Sequence, residues 1–155
     1  MIGLILNAVL IIALIAADQI TKALTDGVMG VEIVKDLLYI SSTKNTGAAF
    51  SMLGNVEWAQ TFFLILTVIA VGAGLAYLVL NKKKSKWLNV SVSFIIGGAI
   101  GNFIDRLAFR YVRDFIFVTF FANFNVADIA ITVGAIMLVV YLLFIDKDAV
   151  FKSKK

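Results

Sequence analysis

The chain has 155 residues, 61% of them hydrophobic and 15% charged, with a net charge of +4. Cysteine, histidine and proline are absent, which excludes disulfides, a thiol nucleophile, Ser-His and Cys-His catalysis, the usual zinc sites and the commonest helix-kinking device. The positive balance is not arranged as the basic and aromatic face of a nucleic-acid binder.

Residues 1–17, 58–81, 87–104 and 129–145 contain no charged side chain. Each run is close to the roughly 20 residues that a helix needs to cross a bilayer core. Lipid offers no hydrogen-bond partners to a backbone, so these runs are expected to be helices. The first run has no basic residue ahead of it, and Ala16-Ala17-Asp18-Gln19 is a poor cleavage site, so it is read as a retained span and not as a signal peptide. The reading is an all-α integral membrane protein of four transmembrane helices, a single membrane domain over 1–155. The spans are placed at about 1–22, 58–81, 87–106 and 127–146.

Between the first two spans, VEIVKDLLYISST (31–43) mixes β-branched and polar residues and predicts short strands. Asn45-Thr46-Gly47 supplies turn chemistry directly after it. Lys82, Lys83, Lys84 and Lys86 fill the link between the second and third spans, and Lys147, Lys152, Lys154 and Lys155 follow the fourth. The positive-inside rule makes that side, with both termini, cytoplasmic. Residues 107–121 are rich in aromatics with Arg110 and Arg113 interleaved, which suits a segment lying at the membrane surface, apolar side down.

This topology gathers the acids. Asp18 ends the first span, Asp105 ends the third and Asp128 begins the fourth, all at similar depth near the outer surface, with Asp114 in the loop between the last two spans. With histidine and cysteine absent, acid-base work falls mainly to carboxylates. Two close aspartates share a proton more easily than both ionise. One can activate water while the other polarises the carbonyl under attack.

Five blocks in chain order carry a family resemblance. They are Asp18-Gln19-Ile20-Thr21-Lys22, Asn45-Thr46-Gly47-Ala48-Ala49-Phe50, Gly101-Asn102-Phe103-Ile104-Asp105-Arg106, Val112-Arg113-Asp114-Phe115 and Phe124-Asn125-Val126-Ala127-Asp128. Together they resemble the signature blocks of the lipoprotein signal peptidase (signal peptidase II) family across nearly the whole chain. The resemblance implies a small outer β-cradle (about 28–56), beside the surface loop or helix of 107–121. It implies an aspartic endopeptidase of the bacterial cytoplasmic membrane that removes signal peptides just before a diacylglyceryl-modified cysteine, on substrates arriving sideways from the lipid. The catalytic aspartates map onto Asp114 and Asp128. Supporting or substrate-binding positions fall on Asp18, Lys22, Asn45, Gly47, Asn102, Asp105, Arg106, Asn125 and Ala127. The implied partners are lipidated prolipoproteins and membrane lipid, with no nucleic acid, no cofactor and no metal.

Each residue also has a plainer reading. Asp128 stands three residues after Asn125, nearly a capping box, and the helix dipole would then favour its ionised form. Asp114 neighbours Arg113 as a surface ion pair would. Asp18 can mark the membrane edge with Lys22 snorkelling beside it. Asn102 and Arg106 share one helical face and can tie loop carbonyls. Asn45 and Gly47 can be a turn alone. Gly97, Gly98 and Gly101 are read as allowing close helix packing. The plain readings explain the residues singly but not their clustering. Three features depart from the family pattern: Arg110 replaces a usual glycine, no proline precedes Phe124, and Ile129 replaces a smaller residue. Two other functions fit parts of the pattern, a catalytically inactive binding module of this fold and a proton or ion transporter.

Overall fold

A computed structural model describes residues 2–47, 58–80 and 85–145. The lysines at 82–84, residues 146–155 and residues 48–57 lie outside the described residues. That leaves Ala48, Ala49 and Phe50 of the second block, and positions 51–56 of the expected 28–56 cradle, without a structural account.

The uncharged runs become helices, since each satisfies its own backbone in lipid. Helix α1 spans Ile2–Leu24 and is followed by strands β1 (Val31–Val34) and β2 (Leu38–Asn45). Helices α2 (Ala59–Leu80) and α3 (Lys86–Phe109) come next, then strand β3 (Val112–Val118) and helix α4 (Val126–Val140). A wider π-helical turn, Tyr141–Ile145, prolongs α4. All four long helices have the length and composition to cross a membrane. Helix α1 continues through Asp18 and Lys22 because those charges, one turn apart, pair at 2.8 Å inside the bundle.

Helix α3 is the least apolar of the four and the most buried, and it packs against each of the other three. Leucine, isoleucine and valine on the outer faces of α1, α2 and α4 are exposed, as lipid-facing positions should be. The contact between α3 and α4 is nearly backbone on backbone: a Cβ at Gly98 would stand 2.3 Å from the Ala127 carbonyl oxygen. Small residues permit this approach, and polar side chains join across it. Ser91 Oγ donates to the Gly134 carbonyl at 2.8 Å.

Much of the segment 107–121 is a strand paired into the sheet. Helix α3 stops at Phe109, where Arg110 takes a left-handed conformation (φ 66°) and its N–H caps the Arg106 carbonyl. The chain then turns into β3. Val112–Val118 (VRDFIFV) is a run of β-branched and aromatic residues, good strand material once a partner edge is available. Strand β2 provides that edge. The three strands form an antiparallel sheet in the order β1-β2-β3. The interleaved arginines suggested an amphipathic surface segment, but Arg113 points inward to Asp105. Phe120 and Phe121, in the turn after β3, do remain exposed.

Register places the site. Asn45 is opposite Val112 and Thr43 is opposite Asp114. The chain after β3 folds back so that Phe124 bridges Ile116. Asn125, the N-cap of α4, therefore arrives beside Asp114.

Candidate active site

Asp114 and Asp128 line one cavity of about 570 Å³ and share one neighbour, Asn125. Neighbouring strand residues face opposite sides of a sheet, so Arg113 turns to Asp105 while Asp114, almost fully buried, faces Asn45 and Asn125. Asn45 Nδ2 donates to one oxygen of Asp114 at 2.9 Å and Asn125 Nδ2 to the other at 2.7 Å. Asp128 and Asn125 form a complete capping box: the Asp128 N–H donates to Asn125 Oδ1 at 3.0 Å, and the Asn125 N–H to Asp128 Oδ2 at 3.2 Å. The other Asp128 oxygen accepts from Asn102 Nδ2 at 2.7 Å. The structural role of Asp128 is thus real, and it coexists with exposure of its carboxylate to the cavity.

Burial pushes the Asp114 carboxyl up to about 6, and the Asp128 carboxylate adds to the rise. Hydrogen bonds from Asn45 and Asn125, and the charge of Lys22, act the other way. One of two neighbouring acids is thereby disposed to keep its proton up to about pH 6, as acid-base chemistry by a carboxylate pair requires.

A second polar layer lies behind. Asp18, Lys22 and Asp105 are fully buried. Lys22 does not snorkel. Its Nζ lies 2.8 Å from Asp18 Oδ2 and 3.4 Å from Asp105 Oδ2, and donates to Asn102 Oδ1 at 3.0 Å. Arg113 completes the charge balance with bonds to both oxygens of Asp105, 2.8 Å for the shortest. Gln19 stitches the layer, donating to Asp18, Asp105 and the Gly101 carbonyl and accepting from Arg113. Asp18 Oδ1 accepts the Ala127 N–H at 2.9 Å, satisfying one of the orphan donors at the start of α4.

Arg106 lies on the cavity wall. Its Nη2 donates to the Gly47 carbonyl at 3.2 Å, and its guanidinium sits 5.0 Å from the centre of the Phe63 ring. Gly47 N–H in turn donates to Asn45 Oδ1, the expected turn. The rest of the cavity is mostly apolar and lies where α2 and α4 flank α3, with Phe63 and Thr67 on one side and Ile129, Thr132 and Val133 on the other.

All eleven residues singled out from sequence therefore fall within the described residues and at one end of the bundle. Asp114, Asp128, Asn45, Asn102 and Arg106 reach the cavity, Asn125 bridges the two carboxylates, and Gly47 holds the Arg106 contact. Asp18, Lys22, Asp105 and Ala127 stand behind it. Sequence reasoning passed over Gln19 and gave Arg113 only the part of an ion-pair partner for Asp114. Gln19 lies inside the first block but carries no charge to draw attention. Phe63 and Thr67 sit in an unbroken apolar run, where no sequence signal separates a cavity wall from a lipid-facing surface.

Fold and site together define an integral membrane protein with a buried, hydrogen-bonded carboxylate pair at one end of an apolar bundle. A family profile described as signal peptidase (SPase) II matches residues 10–144. A lipoprotein signal peptidase of Streptococcus thermophilus is 45% identical over 143 residues, covering 86% of this chain and 90% of that protein. One of Listeria monocytogenes is 39% identical over 145 residues, covering 88% and 92%. A solved bacterial membrane enzyme superposes with a TM-score of 0.80 at 31% identity, covering 96% of this chain and 92% of the other. The chain belongs to the signal peptidase II family. It is a multi-pass bacterial membrane protease with the signal peptidase II function.

Proposed function

We propose that the protein is an aspartic endopeptidase in which Asp114 and Asp128 form the catalytic dyad. The carrying observation is the bridge made by Asn125, which holds both carboxylates against one cavity. The substrates are diacylglyceryl-modified prolipoproteins, cut just before the lipid-modified cysteine. Asp128, as the ionised partner of the pair, takes a proton from water as the oxygen attacks the scissile carbonyl. Asp114, which retains its proton, hydrogen-bonds the carbonyl oxygen as negative charge develops there. The proton on Asp128 then passes to the leaving amine, and the C–N bond breaks.

The apolar cavity wall between α2 and α4 suits a signal helix and acyl chains arriving from lipid. The termini are assigned to the cytoplasm and the dyad to the outer face, by the lysine distribution. Asn45, Asn102, Arg106 and Asn125 orient the dyad and the substrate backbone. Among the described residues the acids gather at one end of the spans, which suits a surface peptidase and not an ion pathway.

The test is to incubate purified protein with diacylglyceryl-modified prolipoprotein, beside Asp114→Asn and Asp128→Asn. Cleavage by the parent, with either variant slower by about 10³-fold or more, is expected. An active Asp114→Asn or Asp128→Asn protein would refute the dyad. An inactive, folded parent would leave the binding-module reading.

A further inference from the structure

The buried ion layer meets the two carboxylates through the side-chain amide of Asn102. Lys22 Nζ donates to Asn102 Oδ1 at 3.0 Å, and Asn102 Nδ2 donates to Asp128 Oδ1 at 2.7 Å. An ammonium can only donate hydrogen bonds and a carboxylate can only accept them. An amide held between the two has one workable orientation. A half-turn would set its oxygen against the Asp128 oxygen and its NH₂ against the Lys22 ammonium, replacing two charge-assisted bonds with two repulsive contacts.

The other neighbour of that oxygen is a weaker constraint. Asn125 Nδ2 reaches Asn102 Oδ1 at 3.1 Å, but its closer partner is Asp114 Oδ1 at 2.7 Å. Lys22 is fully buried, so no water competes for its ammonium. Asp18 and Asp105 balance its charge in place, which makes a buried lysine tolerable here.

We propose that Lys22 is a positioning residue that locks the Asn102 amide with its N–H toward Asp128. This rests on the peptidase reading of the dyad. The lock keeps Asp128 Oδ1 facing a donor throughout the cycle. When Asp128 gains the proton of the attacking water, Asn102 cannot turn to accept it. With the Asn125 N–H donating to the other oxygen, neither neighbour can accept that proton, which stays available to the leaving amine.

Removing Lys22 alone would leave Asp18 and Asp105 in excess and threaten folding. The change is therefore made as Asp18→Asn/Lys22→Met, which stays charge-balanced and keeps an Oδ1 for the Ala127 N–H. Asp18→Asn alone is the reference. In protein labelled with ¹⁵N-asparagine, the Asn102 side-chain amide is assigned by its loss in Asn102→Ala. Its hydrogen exchange should accelerate by about tenfold or more when Lys22 is removed. For prolipoprotein cleavage, kcat should fall about 10- to 100-fold, as when a supporting shell is lost, with KM changed by less than about twofold. On an Asn102→Ala background, the Lys22→Met step should cost less than about twofold, because the amide it orients is gone. Unchanged exchange of the Asn102 amide, or a kcat loss undiminished on that background, overturns the proposal. A parent that does not cleave overturns the peptidase reading instead, and the exchange measurement then decides the role of Lys22 by itself.

Discussion

Gly98→Ala tests whether the site depends on the close approach of α3 to α4. The new Cβ would lie 2.3 Å from the Ala127 carbonyl oxygen and 3.1 Å from the Ile131 nitrogen, both backbone atoms that cannot swing aside. A tolerable carbon–oxygen contact is about 3.3 Å, so the helices must part by about 1 Å. Asn102 lies one turn further along α3, and Asp128 directly follows Ala127. The 2.7 Å bond between them would stretch beyond hydrogen-bond range. Overpacking of this kind costs about 1–3 kcal/mol, and a displacement of about 1 Å at a reacting group can cost about 100-fold in rate. Cleavage of a diacylglyceryl-modified prolipoprotein and thermal melting in detergent measure the two effects. Gly72→Ala is the control, since nothing lies within 4 Å of a Cβ there, and it should leave both unchanged. A Gly98→Ala protein that melts with the parent and cleaves within about threefold of its rate would refute the reasoning.

Arg110 is exposed and held at φ 66°, a conformation that favours glycine. Arg110→Gly should therefore be more stable than Arg110→Ala by about 1 kcal/mol, read as a higher melting temperature; equal melting would mean that the left-handed cap carries no strain. With Asp114 needed in its protonated form, kcat/KM should fall as pH rises through about 6; a pH–rate profile flat across that value would remove Asp114 from the acid role. Replacing Asp128 by Asn removes a cause of the raised Asp114 value, so the Asp114 midpoint, followed by ¹³C carboxyl shifts, should drop below about 6. Asn45→Ala removes a donor to that carboxylate and should move it upward. The rise from 3.8 to about 6 corresponds to about 3 kcal/mol. Because the folded protein holds this proton more tightly than the unfolded chain, the stabilisation is full below about pH 4 and is lost as pH rises through about 6. Guanidinium unfolding of the parent against Asp114→Asn isolates the effect, and a parent that gains on the variant as pH rises contradicts it.

The membrane class, the four helices and the clustering of acids at one end follow from the sequence alone. Long uncharged runs have one stable form in lipid, and alternating passes place span ends on common sides. The capping box at Asn125 and Asp128 was legible too, because capping depends on residues three apart. Residues 107–121 were misread because the pairing that makes Val112–Val118 a strand comes from β2, some 70 residues earlier in the chain. Composition records amphipathic character but not which edge is free to pair. The direction of Arg113 was hidden for the same reason, since alternation along a strand puts it opposite Asp114 only once the segment is a strand. Proximity in sequence suggested an Arg113–Asp114 pair, whereas the fold gives Arg113 to Asp105 and leaves Asp114 to two asparagines. That Lys22 is buried, with its ammonium on Asn102, required α1 and α3 to pack side by side. Sequence determined which groups reach this end of the bundle, because hydrophobic length and charge act locally. Tertiary structure decided which of them touch, because hydrogen-bond partners are chosen by register and helix packing over long separations.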